Sequence, residues 1–145
     1  MPVNTLIHLS DAALIAVHAL AGLAARPGYL VQVKDLAAAI GASEHHLSKV
    51  MQRLARSGLV RSVKGPTGGF ALAMKPGDIS FKLAIETVDG PMGGDFCPYR
   101  TARCNADNCI FGPEIRRHAN ELLAYMVHRT IADITPDNMV NPAAV

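Results

Sequence analysis

The chain of 145 residues contains no tryptophan, and aromatic residues make up only 5% of it. Charged residues reach 18%, below the quarter usual for globular domains, while half the chain is apolar. That balance excludes intrinsic disorder for most of the sequence and leaves enough apolar side chains for one core. No run of eighteen apolar residues occurs, which excludes a membrane-spanning helix. The first residues, MPVNTLIHLSDAALIAVHALAGLAARPG, are apolar but have no basic segment ahead of them, and Asp11 and two histidines interrupt them. They read as an amphipathic helix, not a signal peptide, and the protein is expected to be cytoplasmic with no membrane partner. No internal repeat is present. The Gly-rich stretch GPTGG lacks the following Lys-Ser/Thr of a phosphate-binding loop, and no nucleophile motif accompanies the cysteines. An enzyme is therefore not expected.

Acidic residues are missing from one long stretch. Between His45 and Lys75 there are six basic residues (Lys49, Arg53, Arg56, Arg61, Lys64, Lys75) and no Asp or Glu. The rest of the chain carries eight basic residues against twelve acidic ones. A basic block on a folded segment with acidic flanks suits a polyanionic partner, although charge alone fits a solvated face equally well.

Hydrophobic periodicity divides the chain into short helices and one hairpin. A first helix is expected from Ser10 to Ala25, with Ser10 as N-cap and an apolar stripe through Ala13, Leu14, Val17, Leu20, Ala21 and Ala24. Arg26-Pro27-Gly28 ends it, and Tyr29 to Val33 is β-prone. Lys34 to Ile40 reads as a short helix stopped by Gly41, and Ser43 caps a longer one to Ser57 that buries Leu47, Val50, Met51 and Leu54. Short helix, glycine turn and longer helix form the helix-turn-helix pattern. Leu59 to Ala73 alternates about the turn Gly65-Pro66-Thr67-Gly68-Gly69, which predicts a β-hairpin directly after the recognition-type helix, a wing. Asp78 is expected to cap a helix through Val88. Pro113 opens a last helix whose stripe, Ile115, Ala119, Leu122, Leu123, Met126, Ile131 and Ile134, outruns the surface a small domain has left to cover it. A partner helix from a second subunit is the natural cover.

The fold class that follows is mainly α with a small β-hairpin wing: a winged helix-turn-helix over residues 1–75, then a helix, cysteine loop and dimerisation helix over 76–135, and a flexible tail over 136–145. Candidate DNA contacts on the recognition-type helix are Ser43, Glu44, His45, Ser48, Lys49, Gln52 and Arg53. Side chains near the start of such a helix reach base edges in the major groove, where Gln suits adenine and Lys or Arg suits guanine or phosphate. On the wing the candidates are Arg61, Lys64, Gly65, Thr67 and Gly68. Glycines let backbone approach a phosphate closely, and cationic side chains at a hairpin tip suit phosphates or a narrow minor groove.

The cysteines, Cys97, Cys104 and Cys109, fall within CPYRTARCNADNC, a C-x6-C-x4-C pattern inside a long stretch without helical or strand period. The odd number argues against a disulfide framework. Zinc sites favour close C-x2-C pairs, and none is present. Thiolates strung along an irregular loop can wrap an iron–sulfur cluster, although three thiolates leave one iron needing another ligand. Free or thiol-sensing cysteines are the alternative.

The wing and its sequel, LARSGLVRSVKGPTGGFALA and DISFKLAIETVDGP, together with three cysteines ahead of a long last helix, resemble the Rrf-type winged-helix transcription regulators, the family of IscR, NsrR and CymR. The resemblance runs from about Leu9 to Ile134. It implies a homodimer, joined through the 113–134 helix, that binds a palindromic operator in double-stranded DNA, usually as a repressor. It also implies a 2Fe–2S or 4Fe–4S cluster on Cys97, Cys104 and Cys109. IscR-like members place a histidine ligand three residues beyond the third cysteine, where this chain has Gly112. NsrR-like members draw a carboxylate from the first helix of the other subunit, which puts Asp11 of the partner subunit in that role. Asp11 is also an ordinary first-turn helix acid, and His8 and His18 lie nearby. Gaps of six and four residues replace the family's usual five and five, over the same total span. A cluster-free regulator of the same fold, acting through its thiols or a protein partner, is the runner-up.

Overall fold

The computed structural model describes residues 7–93 and 108–134. Among them are α1 (Asp11–Ala24), α2 (Val33–Ile40), α3 (Glu44–Arg56), β1 (Val60–Val63), β2 (Gly69–Leu72), α4 (Phe81–Asp89) and α5 (Pro113–His128). Single 3₁₀ turns occupy Pro76–Asp78 and Ile131–Asp133.

Three of the described helices, α1, α3 and α4, start where a serine side chain satisfies a free amide. The hydroxyls of Ser10, Ser43 and Ser80 accept hydrogen bonds from the amides of Ala13, His46 and Leu83 at 3.0–3.1 Å. Such a cap contributes about 1 kcal/mol. Ser80, and not Asp78, therefore caps α4. Asp78 is the last residue of the preceding 3₁₀ turn, and the extended Ile79 separates that turn from the helix. Gly41 ends α2 in the left-handed conformation at φ 71°, the expected stop.

The inward face of α3 is the expected one: Leu47, Val50, Met51 and Leu54 are all buried. On α1 the buried set is Ala13, Ala16, Ala19, Leu20, Ala21 and Leu23, while Leu14 is 44% exposed. The expected stripe lay partly off the true face because α1 is alanine-rich nearly all round. What selects the buried side is close approach to α4, its main packing neighbour, and only small side chains permit that approach. Leu36, Leu59, Ile79, Ile85 and Ile131 complete one continuous core with these residues.

The hairpin pairs Val60 with Leu72 and Val63 with Gly69. A third chain segment joins it: Val31 exchanges two backbone hydrogen bonds with Phe70, at 2.8 and 2.9 Å. Of the β-prone stretch 29–33, only Val31 is paired in this way, and Val33 already belongs to α2. Gly69 makes the junction possible. Its φ is +149°, and a Cβ there would lie 2.6 Å from the Val31 carbonyl oxygen.

The last helix is shorter than its apolar stripe. It ends at His128, and Arg129 is extended. The reason is tertiary: the Arg129 carbonyl accepts from the Phe81 amide at 2.8 Å, and the Ile131 amide donates to Ile79 at 2.9 Å. That bridge spends on α4's start the backbone groups a longer helix would need. Ile131 is buried from its own 3₁₀ turn, so the expected helix over 113–134 is a helix plus a tethered turn.

Candidate nucleic-acid interface

The helix-turn-helix and the wing meet on one side of the core. On α3, Glu44, His45, Lys49, Gln52 and Arg53 are exposed, and Ser48 is half-buried. Glu44 in the first turn and Arg53 and Arg56 in the last complement the helix dipole. On the hairpin Arg61, Lys64, Gly65 and Thr67 are exposed. Five of the six residues of the basic block, Lys49, Arg53, Arg56, Arg61 and Lys64, are thus displayed on these two adjoining elements.

Three of the sequence candidates have structural engagements as well. Ser43 is the N-cap of α3. Gly68 is buried and closes the wing turn through its amide to Gly65 O at 3.0 Å. A side chain on Gly68 would collide with the Val63 carbonyl. The Arg53 guanidinium donates from Nη1 to the Val88 carbonyl at 2.7 Å, at the end of α4. One residue absent from the candidates bears on the interface: Gln32, the N-cap of α2, donates from Nε2 to the Pro66 carbonyl at the wing tip, 3.1 Å away. Its partner lies 34 residues along the chain. No local pattern signals such a contact.

Of the cysteines, Cys97 and Cys104 lie outside the described residues. Cys109 is half-buried, forms no disulfide, and accepts a 2.9 Å hydrogen bond at its carbonyl from Gly112, the residue that caps α5. Among the described residues no three His, Cys, Asp or Glu side chains come together as a metal site. Asp11 is exposed in the first turn of α1. It lines an open cleft of about 370 Å³ with Leu14, Ile15 and His18 of α1 and Ser43 and His46 of α3. The His18 ring donates from Nδ1 to Leu14 O at 2.7 Å within its own helix, and His8 is exposed.

Behind this interface, the chain leaving α4 is held at several points. Glu86 accepts from Lys82 Nζ and from the Met92 amide, both at 2.8 Å, and these two donors lower its carboxyl pKa, that of Lys82 foremost. Ser10 Oγ meets the Asp89 carboxylate at 2.6 and 2.7 Å, which joins the start of α1 to the end of α4.

The described helices include none long and apolar enough to cross a membrane. A family model described as Rrf2, iron-dependent transcriptional regulator, matches residues 9–137. The chain is 33% identical over 106 residues to the HTH-type transcriptional regulator NsrR of Bacillus subtilis, a match covering 71% of this chain and 70% of that one. It is similar in structure to CymR, the global cysteine regulator of B. subtilis, with TM-score 0.73 and 22% identity over 88% of this chain and 95% of that one. It is likewise similar to T. potens IscR, with TM-score 0.68 and 26% identity over 88% and 85% of the two chains. The hairpin after α3 is therefore a wing, and the relatives are regulators and not enzymes. The chain belongs to the Rrf2 family of DNA-binding transcriptional regulators.

Proposed function

We propose that this regulator binds a palindromic operator as a homodimer, usually to repress, and that an iron–sulfur cluster on Cys97, Cys104 and Cys109 sets its affinity. The observation that carries the reading is positional. Cys109 stands at the turn into α5, and the other end of the cysteine segment leaves α4 just behind the recognition helix. The donor set fits: a thiol outside any disulfide at position 109, two further thiols in the same segment, and an exposed carboxylate at Asp11 for an iron that three thiolates leave open. In the dimer this carboxylate is Asp11 of the partner subunit. Similarity to NsrR and IscR and the iron-dependent description of the family support the same reading.

Each part of the chain then has a task. The exposed face of α3 presents Lys49 and Gln52 to the major groove, and Arg61 and Lys64 of the wing engage phosphates or the adjacent minor groove. The faces of α5 that carry Ile115, Tyr125 and Val127, exposed by 38–54%, pack against a second copy. A bound cluster would cross-link the segment between α4 and α5 at four points. Because the two half-sites lie about one helical turn apart, a small displacement of the paired recognition helices costs much affinity.

The test is anaerobic purification followed by iron, sulfide and visible absorption per monomer, with operator binding measured on the same sample. Brown protein with stoichiometric iron and sulfide, and altered operator affinity after Cys104→Ala, is the expected result. Colourless protein that takes up no iron on reconstitution defeats the cluster reading. It leaves a DNA-binding regulator whose thiols or partners carry the signal.

A further inference from the structure

The recognition helix carries a cation that the geometry directs inward to the protein. Arg53 occupies the last turn of α3, about two and a half turns from the helix start that enters a major groove. Its Nη1 reaches the carbonyl of Val88 at 2.7 Å in a partly buried position. Val88 itself is buried in the last turn of α4, where its carbonyl has no helical amide to accept from. A guanidinium at a helix C-terminus satisfies such a carbonyl and opposes the negative end of the dipole, and a charged donor makes the bond stronger than a neutral one. One residue further on, the Asp89 carboxylate takes the Ser10 hydroxyl that caps α1. The end of α4 is thus clasped by α3 on one side and by α1 on the other.

We propose that Arg53 is a positioning residue for DNA recognition: it fixes the recognition helix to the end of α4 and does not itself contact DNA. The inference needs only that the chain binds DNA, and it stands apart from the cluster. Its contact is the one side-chain hydrogen bond among those described that links α3 to another helix. The core residues Leu47, Val50, Met51 and Leu54 seat α3 on its inner face, and the bond from Arg53 to the Val88 carbonyl adds a directional restraint near the helix's C-terminal end.

The experiment uses full-length Arg53→Lys and Arg53→Gln with a duplex selected by the wild-type protein from a randomised pool, titrated over a range of salt. Direct phosphate contact and positioning leave different signatures. A lost phosphate contact lowers the slope of log affinity against log salt by about 0.9, whereas a misplaced helix weakens binding without changing the number of ions released by that side chain. The expected result is about tenfold weaker operator binding for both variants, with an unchanged salt slope, an unchanged ranking of single-base operator changes, and native far-ultraviolet dichroism. Arg53→Lys is the more telling variant, because it keeps the charge and folds readily but shortens the reach to Val88. Near wild-type affinity for Arg53→Lys overturns the proposal, as does a slope reduced in Arg53→Gln. Relaxed preference at one base pair in either variant also overturns it, since that is the mark of a base-reading side chain.

Discussion

The stretch from α1 to α4 and the last described helix are built to different standards of self-sufficiency. From α1 to α4 every helix buries a full face, and Ala13, Ala16, Leu20, Leu36, Leu47, Met51 and Ile85 are all within 2% of complete burial. α5 is nearly twice the length of α4 or α2, yet Met126 is its one buried residue. Its surface order comes from ion pairs along its own face: Arg117 holds Glu114 and, at 2.8 Å, Glu121, and those carboxylates raise the guanidinium pKa. Exposed pairs of this kind contribute little. A helix anchored at its C-terminal end through Arg129 and Ile131, packed on the core through Met126 and Leu122 and exposed at Ile115, Tyr125 and Val127, leaves a face to be covered, and the proposed second copy is the cover.

The contrast is broken first by cavities. Leu47→Ala, at a wholly buried position, is expected to destabilise the protein by about 2–5 kcal/mol, read from urea unfolding. Tyr125→Glu on α5 is expected to leave the secondary structure intact and to turn dimer into monomer in sedimentation equilibrium. It should also remove any dependence of the melting temperature on protein concentration. A Tyr125→Glu protein that stays dimeric would place the subunit contact elsewhere. One that unfolds outright would show that α5 completes the core of its own chain.

A second comparison lies within the winged half, between helices that were legible in the sequence and junctions that were not. The helix-turn-helix and the hairpin follow from local signals: three- and four-residue apolar spacing, Gly41, and the Gly65–Gly69 turn. The junctions depend on partners far along the chain. Val31 pairs with Phe70, Gln32 reaches Pro66, Arg53 reaches Val88, and the bridge of Ser80 with Thr130 cuts α5 short of its apolar stripe. Periodicity reports the face of an element and is silent on which distant backbone it meets. Alanine defeats it too, because a helix apolar all round, such as α1, shows no preferred face, and Leu14 was accordingly misplaced. For the interface, the basic block and its two elements could be read in advance, while the engagements of Ser43, Gly68 and Arg53 within the protein could not.

Gly69 tests the importance of a junction directly. Gly69→Ala must adopt a φ of +149° and clear the Val31 carbonyl, so it is expected to cost about 1–3 kcal/mol. It should weaken operator binding beyond that, because the wing is displaced from α2. If the variant melts lower but binds normally once folded, wing placement does not depend on Val31. The two rival caps of α4 make a smaller and cleaner pair. Ser80→Ala is expected to cost about 1 kcal/mol, and Asp78→Ala less than about 0.5 kcal/mol, since only the Ser80 hydroxyl takes the Leu83 amide. The opposite order in thermal melts would return the cap to Asp78.

The smallest effect separates the two regions by pH. Asp133, in the turn that tethers α5, accepts the Thr130 amide at 2.8 Å and its hydroxyl at 3.2 Å, and these bonds hold its carboxyl below the usual carboxylate range. Glu86, which ties the chain leaving α4, is lowered in the same direction by Lys82 and Met92. A carboxyl with a folded pKa below its unfolded value binds fewer protons when folded, so its contribution is complete above the unfolded pKa and fades as pH falls through the folded one. Stability is therefore expected to decline as the pH drops below the ordinary range of Asp and Glu, with both residues contributing. Asp133→Asn keeps an oxygen for the Thr130 amide but cannot titrate, so its acid decline should be shallower than that of the wild type, and that of Glu86→Gln likewise. The distinction lies in what is lost. Protonating Asp133 loosens the anchor of the bare helix, so dimer dissociation should accompany the acid limb in wild type and in Glu86→Gln, and be delayed in Asp133→Asn. Equal delay in both variants would mean that the tether of α5 and the exit of α4 yield to acid as one unit.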